Sequence, residues 1–164
     1  MKNQTAEIGD IPFFKIGTFG SSPDAFISRT LFEEFKSKYS YPKKGDILIS
    51  AAGTIGRSVV FDGEDAYFQD SNIVWIDNNE QKVSNAFLRY FYQVAKWKTD
   101  GGTIKRLYNY NLKNTSIPVP PLSEQSRIVS ILDTFEASIS NLEAQLAQRQ
   151  KQYEYYRNQL LTFE

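Results

Sequence analysis

The stretch GGTIKRLYNYN, residues 101–111, sets two cations, Lys105 and Arg106, beside Tyr108, Asn109, Tyr110 and Asn111. Glycines let a backbone approach a ligand closely, cations find phosphates, and arginine or asparagine can form paired hydrogen bonds with base edges. A strand with a solvated cationic face explains the same residues equally well. Arg57, which follows a glycine turn, and Gln69, Ser71 and Asn72 form a second polar set of this kind. Spacing alone does not distinguish a DNA contact from a polar surface in either set.

Other chemistries fit less well. Pro23-Asp24 followed by Glu34-x-Lys36 has the residue types of a metal-dependent nuclease, in which two carboxylates hold magnesium beside a lysine. Such a pair belongs on a strand, where positions two apart share a face, whereas the context here reads as helix, which turns them apart. The tetrapeptide VPPL, residues 119–122, is only superficially like the Asp/Asn-Pro-Pro-aromatic motif of amino methyltransferases. Val119 offers no side-chain acceptor and Leu122 no flat face, so a stiff linker is the better reading. No glycine-rich loop after a strand has dinucleotide or phosphate-binding spacing. Cysteine and histidine are both absent, which excludes disulfides, thiolate and imidazole ligands for zinc, and every mechanism needing a histidine base or cysteine nucleophile.

These polar sets must be positioned by a folded body. In GDILISAAGTIGRSVVF, residues 45–61, two β-rich runs, Ile47 to Ser50 and Ser58 to Phe61, flank a turn whose Gly53 and Gly56 suit a sharp reversal. Another strand is expected at Ile73 to Ile76 after an Asp62-Gly63 turn. Phe87, Leu88, Phe91, Tyr92 and Ala95 recur at helical spacing, with Ser84 to cap the helix and Asp100-Gly101-Gly102 to stop it. A shorter helix is expected at Thr30 to Lys38.

Pro118, Pro120 and Pro121 then force an extended segment, after which Ser123 is placed to cap a helix starting at Glu124. From there Ile128, Leu132, Phe135, Ile139, Leu142, Leu146, Arg149, Tyr153, Tyr156 and Leu160 alternate in steps of four and three, the seam spacing of a coiled coil. Nine of these ten are apolar or aromatic, against 41% hydrophobic residues overall. At 1.5 Å per residue the helix spans roughly 60 Å, longer than the rest of the chain can cover. The stripe therefore predicts a partner helix, with Arg149 setting register or marking where the pairing frays. The expected organisation is an α+β, loop-rich globule over residues 1–121 and one long helix over 122–164.

The chain has 164 residues, 15% aromatic content and no formal net charge, so it reads as one soluble globular domain with an appendage. Residues 1–121 hold 15 Lys+Arg against 13 Asp+Glu, and residues 122–164 hold 4 against 6, so a DNA binder would rely on a local basic face. No apolar stretch approaches the roughly 18 residues needed to cross a bilayer, and the start MKNQTAEIGD lacks the apolar core of a secretory signal, so the expected compartment is the cytoplasm.

The order and wording of IPFFKIG, KKGDILISAAGTIGRSVV, GGTIKRL and IPVPPLSEQSRIVSILD resemble successive landmarks of the specificity subunit of type I restriction-modification systems. The likeness runs from about residue 11 to the C-terminus, and its last motif is the most specific. It implies a non-catalytic protein whose target recognition domain reads one half of a split double-stranded DNA sequence. It also implies a spacer helix in an antiparallel coiled coil whose length sets the distance between half-sites. Methyltransferase subunits would dock and bring S-adenosylmethionine, and a translocating restriction subunit would bring ATP and magnesium; this chain itself would hold no cofactor or metal.

A full-length member carries two recognition domains and two spacer helices, so one of each implies a half-subunit that forms a homodimer or pairs with another half-subunit. Family domains also extend further ahead of the first landmark than the ten residues before Ile11. Candidate DNA contacts are Lys15, Ser21, Ser22, Arg57, Gln69, Ser71, Asn72, Thr103, Lys105, Arg106 and Tyr108, which the resemblance does not assign individually. Two rival readings are a coiled-coil protein adaptor without DNA binding and a stand-alone nuclease or methyltransferase.

Overall fold

The computed structural model describes residues 4–69, 71–101 and 105–163. The chain divides into two compact units, the first ending at Leu122 and the second beginning at Ser123.

In the first unit, strand β1 (Ile11–Phe14) lies between β2 (Phe26–Ile27), which is antiparallel to it, and β5 (Tyr67–Phe68), which is parallel. Pro12 has no N–H to give, and pairing with β5 begins only at Phe13. That register puts Phe13 against Tyr67 and Phe14 against Phe68, with ring centroids 6.1 and 5.8 Å apart. Helix α1 (Arg29–Lys38) starts where Ser28 Oγ accepts the Leu31 N–H. It covers this sheet through the fully buried Phe32, and Lys36 and Lys38 suit its negative C-terminal end.

The second sheet has β3 (Ile47–Ser50) between β4 (Ser58–Val60) and β6 (Ile73–Trp75), all antiparallel. Every β3 residue is buried, because the strand is covered on both faces. Ile47, Ile49 and Ala51 join Leu88 and Tyr92 of helix α2 (Asn85–Val94) on one side. Leu48 packs with Phe19, Phe61 and Ile73 on the other. The period of two thus sends alternate side chains into two separate cores.

The strands read at 58–61 and 73–76 each end one residue early. Helix α2 begins as expected, with Ser84 Oγ accepting the Phe87 N–H, but it stops at Val94 rather than near Asp100. Ala95 is extended, and Trp97 Nε1–H turns back to the Tyr92 carbonyl at 3.2 Å, so the indole captures a last-turn acceptor and the chain leaves the helix axis. A five-residue helix, α3 (Asn109–Lys113), lies where a cationic strand was one reading; Arg106 makes only an isolated bridge with Asp100.

The second unit is helix α4 (Leu122–Leu161), 40 residues long. It begins two residues before Glu124, with Ser123 inside its first turn rather than capping it. Proline is tolerated where a helix starts, because the first N–H groups have no helical acceptor there, so the first turn can follow Pro121 directly. Glu124 and Arg127 are joined by two hydrogen bonds of 2.7 and 2.9 Å across one turn. The fold is α+β with a long C-terminal helix, and no helix among the described residues is long and apolar enough to cross a membrane.

Candidate nucleic-acid interface

The turn between β3 and β4 is closed by one side chain. The buried Ser50 hydroxyl donates to the Thr54 carbonyl and accepts the Arg57 N–H at 2.9 Å. Gly53 and Gly56 have φ of +64° and +86°, conformations that disfavour a side chain. Trp97 seals the turn from outside: a methyl group on Gly56 would sit 2.6 Å from its Cδ1 atom. Arg57 follows, exposed, with one guanidinium N–H donated to the Phe19 carbonyl at 2.8 Å. A guanidinium has five donors, so others remain for a ligand.

Two loops meet this turn. In the loop after β1, Gln69 Oε1 accepts the Ile16 N–H at 3.0 Å, and Lys15 pairs with Asp24 at 2.9 Å. In the loop after β5, Ser71 has φ +58°, and one Arg106 nitrogen reaches Asn72 Oδ1 at 2.5 Å and the Ser71 carbonyl and hydroxyl at 3.4 Å. Ala51 joins these segments, donating to the Asn72 carbonyl at 2.7 Å and accepting the Leu107 N–H at 2.8 Å. Hydrogen bonds therefore bring together Arg57, Gln69, Ser71, Asn72 and Arg106. Gln69 directs its side-chain oxygen to the loop after β1, and Asn72 and Arg106 direct their polar groups to each other, which makes all three braces as much as outward readers.

The 105–111 stretch forms the adjoining edge. Asp100 accepts the Tyr110 hydroxyl and, at 2.7 Å, the Asn111 side-chain amide; Asn111 Oδ1 in turn accepts the Tyr108 N–H at 2.8 Å. The Tyr110 bond, then the Asn111 bond, hold the Asp100 carboxyl below its ordinary 3.8, and the same carboxylate pushes the Tyr110 phenol above 10.0. Tyr108 and Tyr110 are exposed and stack at 5.8 Å, with their rings 7° from parallel. They line a groove of about 840 Å³ with Phe35, Tyr39, Ser71 and Trp75. Lys105 is exposed, its ammonium 3.3 Å from the Gly101 carbonyl. Ser21 and Ser22 are exposed, with the Ser21 hydroxyl donating to the Thr18 carbonyl; Thr103 lies outside the described residues. Exposed hydroxyls, guanidinium donors and flat rings are the groups that contact phosphates, base edges and unstacked bases.

The proposed nuclease residues do not converge in this arrangement. Asp24 pairs with Lys15, Glu34 with Lys38 and Lys36 with Asp65, and no cluster of three acidic side chains among the described residues is placed to hold a metal. Sequence reasoning missed the Ser50 staple, the Asp100 acceptor, and the exposed Lys96 and Lys98 beside Trp97. The only signal for the last was the alternation in Lys-Trp-Lys.

Residues 1–150 match the family described as the type I restriction modification DNA specificity domain. A curated Haemophilus influenzae protein, named as the type I restriction enzyme specificity subunit S.HindORF215P, is 64% identical over 168 residues, covering 99% of this chain and 44% of that protein. A chain from a solved type I restriction-modification system superposes with a TM-score of 0.66 at 20% identity, covering 95% of this chain and 38% of its own length. The HsdS subunit of Thermoanaerobacter tengcongensis does so with a TM-score of 0.59 at 20% identity, covering 88% of this chain and 34% of that one. At that identity the solved structures speak to the fold alone. The chain spans less than half the length of these relatives, and it belongs to the type I restriction-modification DNA specificity family.

Proposed function

We propose that this chain is the sequence-reading, non-catalytic part of a type I restriction-modification complex. The loops of the first unit read one half of a bipartite duplex target, and α4 pairs antiparallel with a second copy or another half-subunit to fix the distance to the other half. Methyltransferase subunits dock on it and supply S-adenosylmethionine, flipping and modifying an adenine in each half-site. The restriction subunit supplies ATP and magnesium.

The observation that carries this reading is the 64% identity to a named specificity subunit across 99% of the chain, because it spans both the loop-bearing unit and the helix. Lys15, Ser21, Ser22, Arg57, Lys105 and Tyr108 are the proposed outward contacts. Gln69, Ser71, Asn72 and Arg106 present the loops and complete the surface. Genome-wide mapping of methylated bases in cells with and without the protein tests the proposal. The expected result is a spaced, inverted-repeat motif that disappears with the protein; an unchanged methylation pattern refutes it and leaves the protein-adaptor reading.

A further inference from the structure

The segment leaving α2 carries two cations that have no partner among the described residues. Ala95 is extended, with φ −62° and ψ 131°, and the Trp97 N–H then donates to the Ala95 carbonyl at 3.0 Å, a tight turn about Lys96. Trp97 points inward: it is half-buried, its ring lies 5.4 Å from that of Tyr92, and its indole covers Gly56. Lys96 and Lys98, on either side of it, are both exposed. Neither ammonium meets a carboxylate or another acceptor among the described residues. Lys15, Lys36, Lys38 and Lys43 differ, each being paired with an aspartate or glutamate within 3.2 Å.

We propose that Lys96 and Lys98, pinned by Trp97 against the Gly53–Gly56 turn, form a clamp for the sugar-phosphate backbone of duplex DNA. The inference rests on the DNA-reading role above and deepens it, by naming groups that hold phosphates rather than bases. Lys96 and Lys98 flank the anchored indole, and each ammonium ends a flexible four-carbon stem, so the two can take different phosphates. A lysine ammonium is a compact point charge that suits a phosphate without demanding paired geometry. The Trp97 anchor matters because it fixes the segment beside Arg57 before DNA arrives, which lowers the ordering cost of binding. Phosphate contacts of this kind set position and register, while Arg57 and the neighbouring loops remain free to discriminate sequence.

The test is a salt titration of binding to a random-sequence duplex, made on the full chain assembled with its methyltransferase subunits. A Lys96→Gln, Lys98→Gln double variant is compared with the parent and with Lys44→Gln. Lys44 is another exposed lysine, ahead of β3 and so at the opposite end of that strand from the turn. Each phosphate contact contributes about 0.9 to the slope of log K against log salt, so the double variant is expected to flatten the slope by about 1.8. Lys44→Gln should leave it unchanged. Circular dichroism of the variants matching the parent's excludes misfolding of these exposed positions as the cause. A parent that binds duplex DNA with a slope the double variant does not alter overturns the clamp and leaves the proposed function standing. A parent assembly with no affinity for any duplex overturns the function itself.

Discussion

Ser50 holds a loop with one hydroxyl, and the cost of losing it can be bounded. Ser50→Ala removes the acceptor of the Arg57 N–H and the donor to the Thr54 carbonyl in a site that is 2% exposed. Leaving such groups unsatisfied costs about 1–3 kcal/mol, so the urea midpoint should fall with the slope unchanged. Asp100 makes a different kind of prediction. A carboxyl held below 3.8 by Tyr110 and Asn111 stabilises the fold above that pH, and its contribution is lost as the pH falls through the lowered value. A phenol held above 10.0 stabilises below that pH and is lost as the pH rises through the raised value. The Asp100–Tyr110 contact therefore persists across the neutral range and opens at both extremes. Asp100→Asn should return the Tyr110 titration toward 10.0, read by NMR of carbon-labelled tyrosine. Tyr92, which burial alone pushes up to about 12, should not move and serves as the internal reference.

Among the elements, the β3–β4 turn and the segment after α2 are folded against each other through Gly56 and Trp97. Gly56→Ala adds a methyl 2.6 Å from the indole Cδ1, and nearer still to Nε1, at a φ of +86°, so the ring must leave and the Trp97 bond to Tyr92 with it. The expected outcome is a red-shifted, more quenchable tryptophan emission, with a stability loss of more than about 1 kcal/mol for the strained backbone alone. This pair also marks the limit of what the sequence makes legible. Strands β3, β4 and β6, the start of α2 and nearly all of α1 follow from local period and capping, because those signals lie within a few residues of their effect. The end of α2 does not, because it is decided by an indole finding a slot on a turn forty residues earlier in the chain. The parallel pairing of β1 with β5 is similarly non-local. So are the bracing roles of Gln69 and Arg106: an amide or guanidinium suits a base edge or a neighbouring loop equally well, and only the fold brings Arg106 to Ser71 and Asn72.

At the scale of the molecule, the strongest demand comes from α4. Ile128 and Leu132 are half-buried, but Phe135, Leu142 and Leu160 are 62%, 63% and 73% exposed, and Ile139, Leu146, Tyr153 and Tyr156 are exposed with them. Arg149 interrupts the stripe, its guanidinium bonded to Gln152 at 2.9 Å. Each large apolar side chain left in water forgoes about 1.5–3 kcal/mol, a total that a folded helix in isolation has no means to recover. If a second copy covers the stripe, the melting temperature of α4 rises with protein concentration, as mass action requires. Sedimentation at micromolar concentration should then find a dimer. Leu142→Glu enters a symmetric pair twice, so it should weaken association by about 3–6 kcal/mol, roughly a hundred- to ten-thousandfold in Kd. Because Leu142 belongs to the second unit, Trp97 emission from the first should be unchanged in the same variant. That separates loss of pairing from loss of folding. A wild-type chain that sediments as a monomer, with a melting temperature independent of concentration, would mean that the stripe is covered by something other than a second copy, and the symmetric arrangement would fall with it.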